Sequence, residues 1–157
     1  MSNTTKRAAG LNTRHSAPDQ STGFLLWRVT NAWQAALRAT LAPLDLTHVQ
    51  FVLLASLTWL QADQPVTQRA LADHAGTDAM MTSQVLRTLE AKGFIERKLH
   101  PSDARARALV VTNRGSALTN QAVQAVEGAD ATFFAALGAD HAGFIAMLSR
   151  LTPFSST

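Results

Sequence analysis

Four side chains recur at helical spacing in one short stretch: Met80, Ser83, Gln84 and Arg87. On a helix they project from a common face. Gln can pair with the edge of adenine and Arg with that of guanine, while Ser reaches a base or a phosphate. The Met thioether adds a flexible apolar contact. Such a face also fits an ordinary solvated helix, so its weight comes from its neighbour. Residues 97–114 hold Arg97, Lys98, Arg105, Arg107 and Arg114 against a single acid, Asp103. Residues 116–157 instead carry Glu127, Asp130 and Asp140 against Arg150. A cationic segment in a chain of net charge only +3 is the electrostatic footprint of a polyanion partner, and a solvated loop is the plain alternative. The sequence pI of 10.2 says less. With no Tyr and no Cys, nothing titrates between His and Lys, so a small excess of cations suffices.

Other chemistry finds little support. His15, His48, His74, His100 and His141 are scattered, none at metal-ligand spacing, and no Ser/His/Asp arrangement has local context. The absence of cysteine excludes thiol catalysis, disulfides, thiol redox sensing and cysteine-ligated zinc. No catalytic residue, metal site or cofactor is therefore assigned, and the chain reads as a non-enzyme. At 157 residues and 46% hydrophobic it can fill one core with an added arm. Its longest apolar stretch, residues 49–60, is too short and too polar to span a bilayer. Residues 1–20 lack the apolar centre of a secretory signal. The expectation is a cytoplasmic protein with no membrane partner.

The elements that would position these residues follow from punctuation and period. Pro18, Pro43, Pro65, Pro101 and Pro153 fall between periodic segments. A polar arm is expected over 1–20. A helix over 20–42 carries Leu26, Val29, Trp33, Leu37 and Leu41 on one apolar face. A second helix opens at Thr47, where Thr47 and Gln50 fit a capping box and Leu46 can staple onto Phe51; it runs to about 61. A short helix over 67–74 with Thr67 as its N-cap, a turn at Gly76 and a helix from Thr77 or Asp78 to Lys92 come next. The period then switches to alternation: strands over 94–99 and 106–111 flank a turn at 100–103, making a hairpin. Thr112 caps a long helix over 113–137, Gly138 breaks it, and Asp140 is placed to cap a last helix. The fold class is mainly α with a small β-hairpin.

Helix, turn, helix and basic hairpin in that order make a winged helix-turn-helix. Its second helix fits a major groove and its hairpin reaches phosphate or minor groove. At this point the sequence resembles the MarR family of regulators. The run Leu86-Arg87-Thr88-Leu89-Glu90-Ala91-Lys92-Gly93-Phe94-Ile95-Glu96-Arg97 is similar to the end of that family's recognition helix and its first wing strand. Pro101-Ser102-Asp103-Ala104-Arg105, then Val111-Thr112 and Gly115, resembles its wing signature, and Leu46-Thr47-His48-Val49-Gln50-Phe51 the start of its second helix. The chain departs at the wing tip, with Asp103-Ala104-Arg105 where the family often has Asp-Arg-Arg, which weakens wing contacts or moves them to Arg107.

The resemblance implies a homodimeric regulator of transcription, a repressor by the commoner outcome, on double-stranded DNA with a near-palindromic operator. Residues 46–112 would bind DNA, and 21–45 with 113–152 would dimerise. Phe133, Phe134, Leu137, Phe144, Ile145, Met147, Leu148 and Leu151 supply apolar surface beyond the needs of a small core. The resemblance makes Arg105 the leading groove or phosphate contact, oriented by Asp103 through a charge-assisted hydrogen bond. Arg97, Lys98 and Arg107 are further wing contacts. It also implies a small aromatic or anionic effector, for which Trp27, Arg28 and Trp59 are the candidate lining residues. The rival reading is a winged-helix protein-interaction module without DNA binding.

Overall fold

The computed structural model describes residues 10–152. Residues 1–9 of the expected polar arm and Pro153 lie outside the described residues. Six α-helices and one hairpin follow in chain order: α1 (Thr22–Leu41), α2 (His48–Leu60), α3 (Gln68–Ala75), α4 (Ala79–Ala91), β1 (Ile95–Leu99), β2 (Arg107–Val111), α5 (Asn113–Phe133) and α6 (His141–Leu151). Among the described residues, no single helix is long and apolar enough to cross a membrane.

Local chemistry starts most of these helices. Thr47 Oγ1 accepts from the Gln50 amide at 3.2 Å, and the Thr47 amide donates to Gln50 Oε1 at 3.1 Å. This reciprocal pair satisfies two amides that the first turn of α2 would otherwise leave unpaired. Thr67, Asp78 and Thr112 cap α3, α4 and α5 in the same way with one bond each. The helix α2 then places Leu53, Leu54 and Leu57 at the centre of the core. Around them lie Leu37 and Leu41 of α1, Leu71 of α3, Leu86 and Leu89 of α4, Ile95 and Leu109 of the hairpin, and Ala122 and Val126 of α5. Each buried leucine contributes on the order of 1.5–3 kcal/mol. The polar groups inside this core are paired: Thr82 Oγ1 lies 2.7 Å from both the Asp78 carbonyl and Thr77 Oγ1, and Thr119 Oγ1 donates to the Gly115 carbonyl at 2.7 Å.

The strands β1 and β2 pair antiparallel, with Ile95 opposite Val111 and Arg97 opposite Leu109. A lone hairpin is marginal in water, and this one is held by the helical body. The Leu109 amide donates to the Val66 carbonyl at 2.8 Å, adding a bridge from the loop before α3. The Val111 amide donates to Gln61 Oε1 at 3.0 Å, and Thr112 Oγ1 donates to the Gly93 carbonyl at 2.7 Å.

Two expectations are corrected and one is refined. The apolar face of the first helix is buried along only part of its length. Leu37 and Leu41 are buried and Trp33 packs on the core, but Leu26 and Val29 are exposed, as are Phe24, Leu25 and Trp27. The body of the chain underlies only the C-terminal half of α1. Next, α5 stops at Phe133, and Ala135–Asp140 winds as a 3-10 segment that turns non-helical at Gly138. Finally, Asp140 makes no side-chain cap, because its backbone is already helical (φ −79°, ψ −6°) and cannot aim the carboxylate back at the amides.

Close approach explains one residue of the Val111-Thr112-x-x-Gly115 pattern. A Cβ at Gly115 would collide with the Phe94 carbonyl at the root of the hairpin. Replacement by Ala must move backbone rather than a flexible side chain. Gly115→Ala is expected to destabilise the protein by about 1–3 kcal/mol, read as a lower urea midpoint, whereas Gly128→Ala, where a Cβ meets nothing, is expected to leave the midpoint unchanged or raised.

Candidate nucleic-acid interface

Everything between α3 and α4 serves to present α4. The helix α3 ends on Gly76, whose left-handed backbone (φ +67°) lets the chain reverse within two residues. Asp78 then accepts from the Met81 amide at 2.8 Å and starts α4. Thr82, Leu86 and Leu89 are buried against the core, with Val85 partly covered. The opposite face is open: Met80 is 73% exposed, and Gln84 and Arg87 are exposed, while Ser83 is half-buried at its edge. Met81, 42% exposed on the same first turn, belongs to this surface too; its place beside Met80 was the only sequence signal for it. The Lys92 ammonium closes the far end, contacting the Asp45 carboxylate at 2.8 Å and its carbonyl at 3.1 Å.

The wing cations divide into two sets. Arg97 is engaged: Nε donates to Glu90 Oε2 at 3.2 Å, and Nη1 and Nη2 each donate to Gln68 Oε1 at 3.3 Å. Lys98 pairs with Glu96 at 3.2 Å in an exposed contact, easily exchanged for another anion. Arg114 lies over the Phe94 ring at 5.1 Å and donates to the Lys92 carbonyl at 3.2 Å. Arg87, Arg105 and Arg107, by contrast, are exposed and their guanidinium groups make no hydrogen bond or ion pair with the described residues. The expected role of Asp103 is corrected. Its carboxylate accepts from the backbone amide of Arg105 at 2.9 Å rather than from the guanidinium. Two residues apart in a tight turn, the carboxylate reaches the nearby amide first. Asp103 thus shapes the tip and leaves the Arg105 side chain open.

A family model described as the MarR family matches residues 46–106. YdcH, an uncharacterized HTH-type transcriptional regulator of Bacillus subtilis (strain 168), is 47% identical over 126 residues, 80% of this chain and 86% of that protein. The chain belongs to the MarR family. This MarR-family protein is also 35% identical, over 86% of its length and 96% of the relative's, to the HTH-type transcriptional repressor Rv2887 of Mycobacterium tuberculosis (strain ATCC 25618 / H37Rv). The structure of Rv2887 with salicylic acid matches with a TM-score of 0.64, covering 83% of this chain and 96% of that one. CouR bound to a 23-mer DNA duplex matches with a TM-score of 0.75 at 26% identity, covering 85% and 93%. CouR from Rhodococcus jostii RHA1 bound to p-coumaroyl-CoA gives 0.77 at 25%, covering 91% and 100%. The winged helix-turn-helix is thus that of a transcription regulator, and the relatives it matches are regulators rather than enzymes.

This MarR-family chain also has a cleft of about 620 Å³, between the C-terminal half of α1, the start of α2 and the α3–α4 turn. Gln34, Arg38, Thr47, His48 and Thr77 give it polar groups, and Leu46, Val49 and Val52 an apolar wall. Trp27, Arg28 and Trp59, the expected lining residues, are not part of it. Trp27 and Trp59 are 67% and 76% exposed, because one sits on the unsupported half of α1 and the other at the outer end of α2. Periodicity could not find Arg38 or His48, since their meeting depends on how α1 crosses α2. His48 packs edge-on against Trp33 at 5.1 Å, and Trp33 Nε1 donates to Asp130 Oδ1 at 2.8 Å.

Burial lowers the His48 pKa below 6.5; Asp130 raises it and Arg38 lowers it further, the desolvation prevailing. The unfolded chain therefore takes up this proton at a higher pH than the folded one. Stability present above pH 6.5 is lost as the pH falls through 6.5 toward the depressed folded value. His48→Gln is expected to lose less stability than the wild type between pH 7 and pH 5 in urea titrations. Equal losses would rule out His48 as a source of the acid sensitivity.

Proposed function

We propose that this protein represses transcription as a homodimer that sits on a near-palindromic operator and leaves it when a small carboxylate or aromatic acid occupies the α1–α2 cleft. The observation carrying the reading is the set of open guanidinium groups. Arg87 on α4, Arg105 in the hairpin turn and Arg107 on β2 stay unpaired among the described residues while their neighbours Arg97 and Arg114 are engaged. Exposed cations flanking a helix of groove dimensions suit base edges and phosphates together.

Dimerisation is supported by what the chain leaves uncovered. Phe24, Leu25, Leu26, Trp27 and Val29 on α1 are 41–67% exposed, and Ile145, Met147, Leu148 and Leu151 on α6 are 39–75% exposed. Helix α6 packs mainly on the 3-10 segment before it. Apolar stripes of this extent at both chain ends suit interlocking with a second copy. A twofold pair would set two α4 helices on the order of 34 Å apart, one turn of DNA. For the effector, Arg38 offers a guanidinium beside an apolar wall, and the salicylic acid complex of a relative favours an aromatic acid, while the p-coumaroyl-CoA complex shares its aromatic and anionic character but not its carboxylate.

Two experiments test the reading. Duplexes selected from a random pool should bind with an affinity that falls steeply with salt. Arg105→Ala should lower the slope of log K against log[salt] by about 0.9 for every duplex. Gln84→Ala or Arg87→Ala should instead change preference at single base positions by about 1–3 kcal/mol. Leu26→Asp or Ile145→Asp should shift the sedimenting species from twice the 16.9 kDa chain mass toward the monomer, with duplex affinity lost in step. A monomeric wild type indifferent to DNA at low salt removes the reading.

A further inference from the structure

We propose that Arg97 is a positioning residue, which sets the recognition helix against the wing, and not one of the side chains that touch the DNA backbone. The inference rests on the DNA-binding reading above and concerns the same surface. Its sequence context, a cation in the basic hairpin, points to phosphate; its geometry points elsewhere.

One guanidinium joins three elements. Gln68 is the first residue of α3, Glu90 lies in the last turn of α4, and Arg97 is the middle residue of β1. Nε serves Glu90, while Nη1 and Nη2 converge on Gln68 Oε1. The side chain is 27% exposed, against 58% for adjacent Lys98, and its charge is already matched by Glu90. To reach a phosphate, Arg97 would break three hydrogen bonds and leave the Glu90 carboxylate uncompensated beside a polyanion. A forked, planar cation holds acceptors on two helices along fixed, separated directions, whereas a lysine ammonium gathers its donors at one point on a flexible stem. Other ties fix the root of the hairpin: Gln61 to the Val111 amide, and Val66 to Leu109. Arg97 alone among them reaches both helices of the helix-turn-helix. Its loss frees α4 to shift relative to Arg105 and Arg107 while the core beneath stays intact. A part-exposed ion pair contributes little to stability, so the effect falls on binding geometry.

The test compares a duplex selected by the wild type with a random-sequence duplex, each over a salt series. Arg97→Ala is expected to weaken the selected duplex at least about fivefold, the equivalent of one bidentate base contact. The salt slope and the random-duplex affinity should stay at their wild-type values. Arg97→Lys should fail to restore the loss. Gln68→Ala, a neutral change on the α3 partner, should give part of the same loss and add nothing in the Arg97→Ala background. It keeps the question answerable if Arg97→Ala does not fold. A salt slope lowered by about 0.9 together with rescue by Lys assigns Arg97 to phosphate and overturns the proposal. Wild-type affinity in either variant, or additive losses in the double variant, overturns it as well. If the wild type itself binds no duplex, the DNA-binding reading falls and takes this proposal with it; the first three outcomes sink the proposal alone.

Discussion

A hairpin of two five-residue strands has no core of its own, so its direction must be imposed by the helices beneath it. That dependence governs the functional surface. Ile95, Leu109 and Val111 give up their side chains to the main core, which fixes the inner face of the hairpin. Its backbone is then pinned at Leu109 and Val111 by Val66 and Gln61. Gly115 lets α5 start against the Phe94 carbonyl, where any side chain would intrude. The hairpin therefore leaves the body at one angle and cannot drift without disturbing α2, α3 or α5. A surface that must match two features of a duplex, a groove and a flanking backbone, needs that rigidity, because displaced donors lose base contacts before they lose phosphate contacts.

Charge is distributed according to the same logic. Cations near the body are consumed by structure: Lys92 ties α4 to the α1–α2 turn through Asp45, and Arg114 covers Phe94. On the outer surface Lys98 holds only an exposed pair with Glu96, and Arg87, Arg105 and Arg107 are left without partners among the described residues. Asp103 preserves this division because it spends its carboxylate on the Arg105 amide. The tip is thereby turned tightly while its guanidinium stays open. An acid that paired with the side chain instead would cancel the charge the tip exists to carry.

What could be read from the sequence was local. The capping pair Thr47–Gln50, the caps at Thr67 and Thr112, and the reversal at Gly76 act within four residues, so spacing alone reveals them. The two faces of α4 followed from period for the same reason. What escaped involved distant partners. Arg97 looked like a free cation because Gln68 and Glu90 are 29 and 7 residues away. Arg38 and His48 could not be linked to a cleft before the crossing of α1 and α2 was known. The apolar stripe of α1 was recognised, but period cannot say that one half meets the chain's own core and the other half does not. At Asp140 residue type suggested a cap, and a helical backbone inherited from the preceding 3-10 segment overruled it.

That division of α1 links the cleft to the proposed dimer. The exposed N-terminal half carries the surface offered to a second copy, and the C-terminal half carries Gln34 and Arg38 on one wall of the cleft. The lining also includes Ala75, the last residue of α3, and Thr77 from the turn that launches α4. One rigid helix thus spans from the proposed pairing surface to a groove bordered by the helix-turn-helix. In a twofold assembly, the separation of the two α4 helices depends on the angle at which each DNA-binding unit meets its own α1. Under the proposed function, a molecule wedged between Arg38 and Thr77 would act on that angle, and a small rotation there would be multiplied by the distance to the recognition face. Such an occupant shifts the equilibrium only by its difference in affinity for the two angles, so an acid that fits the cleft equally well in both leaves DNA binding unchanged.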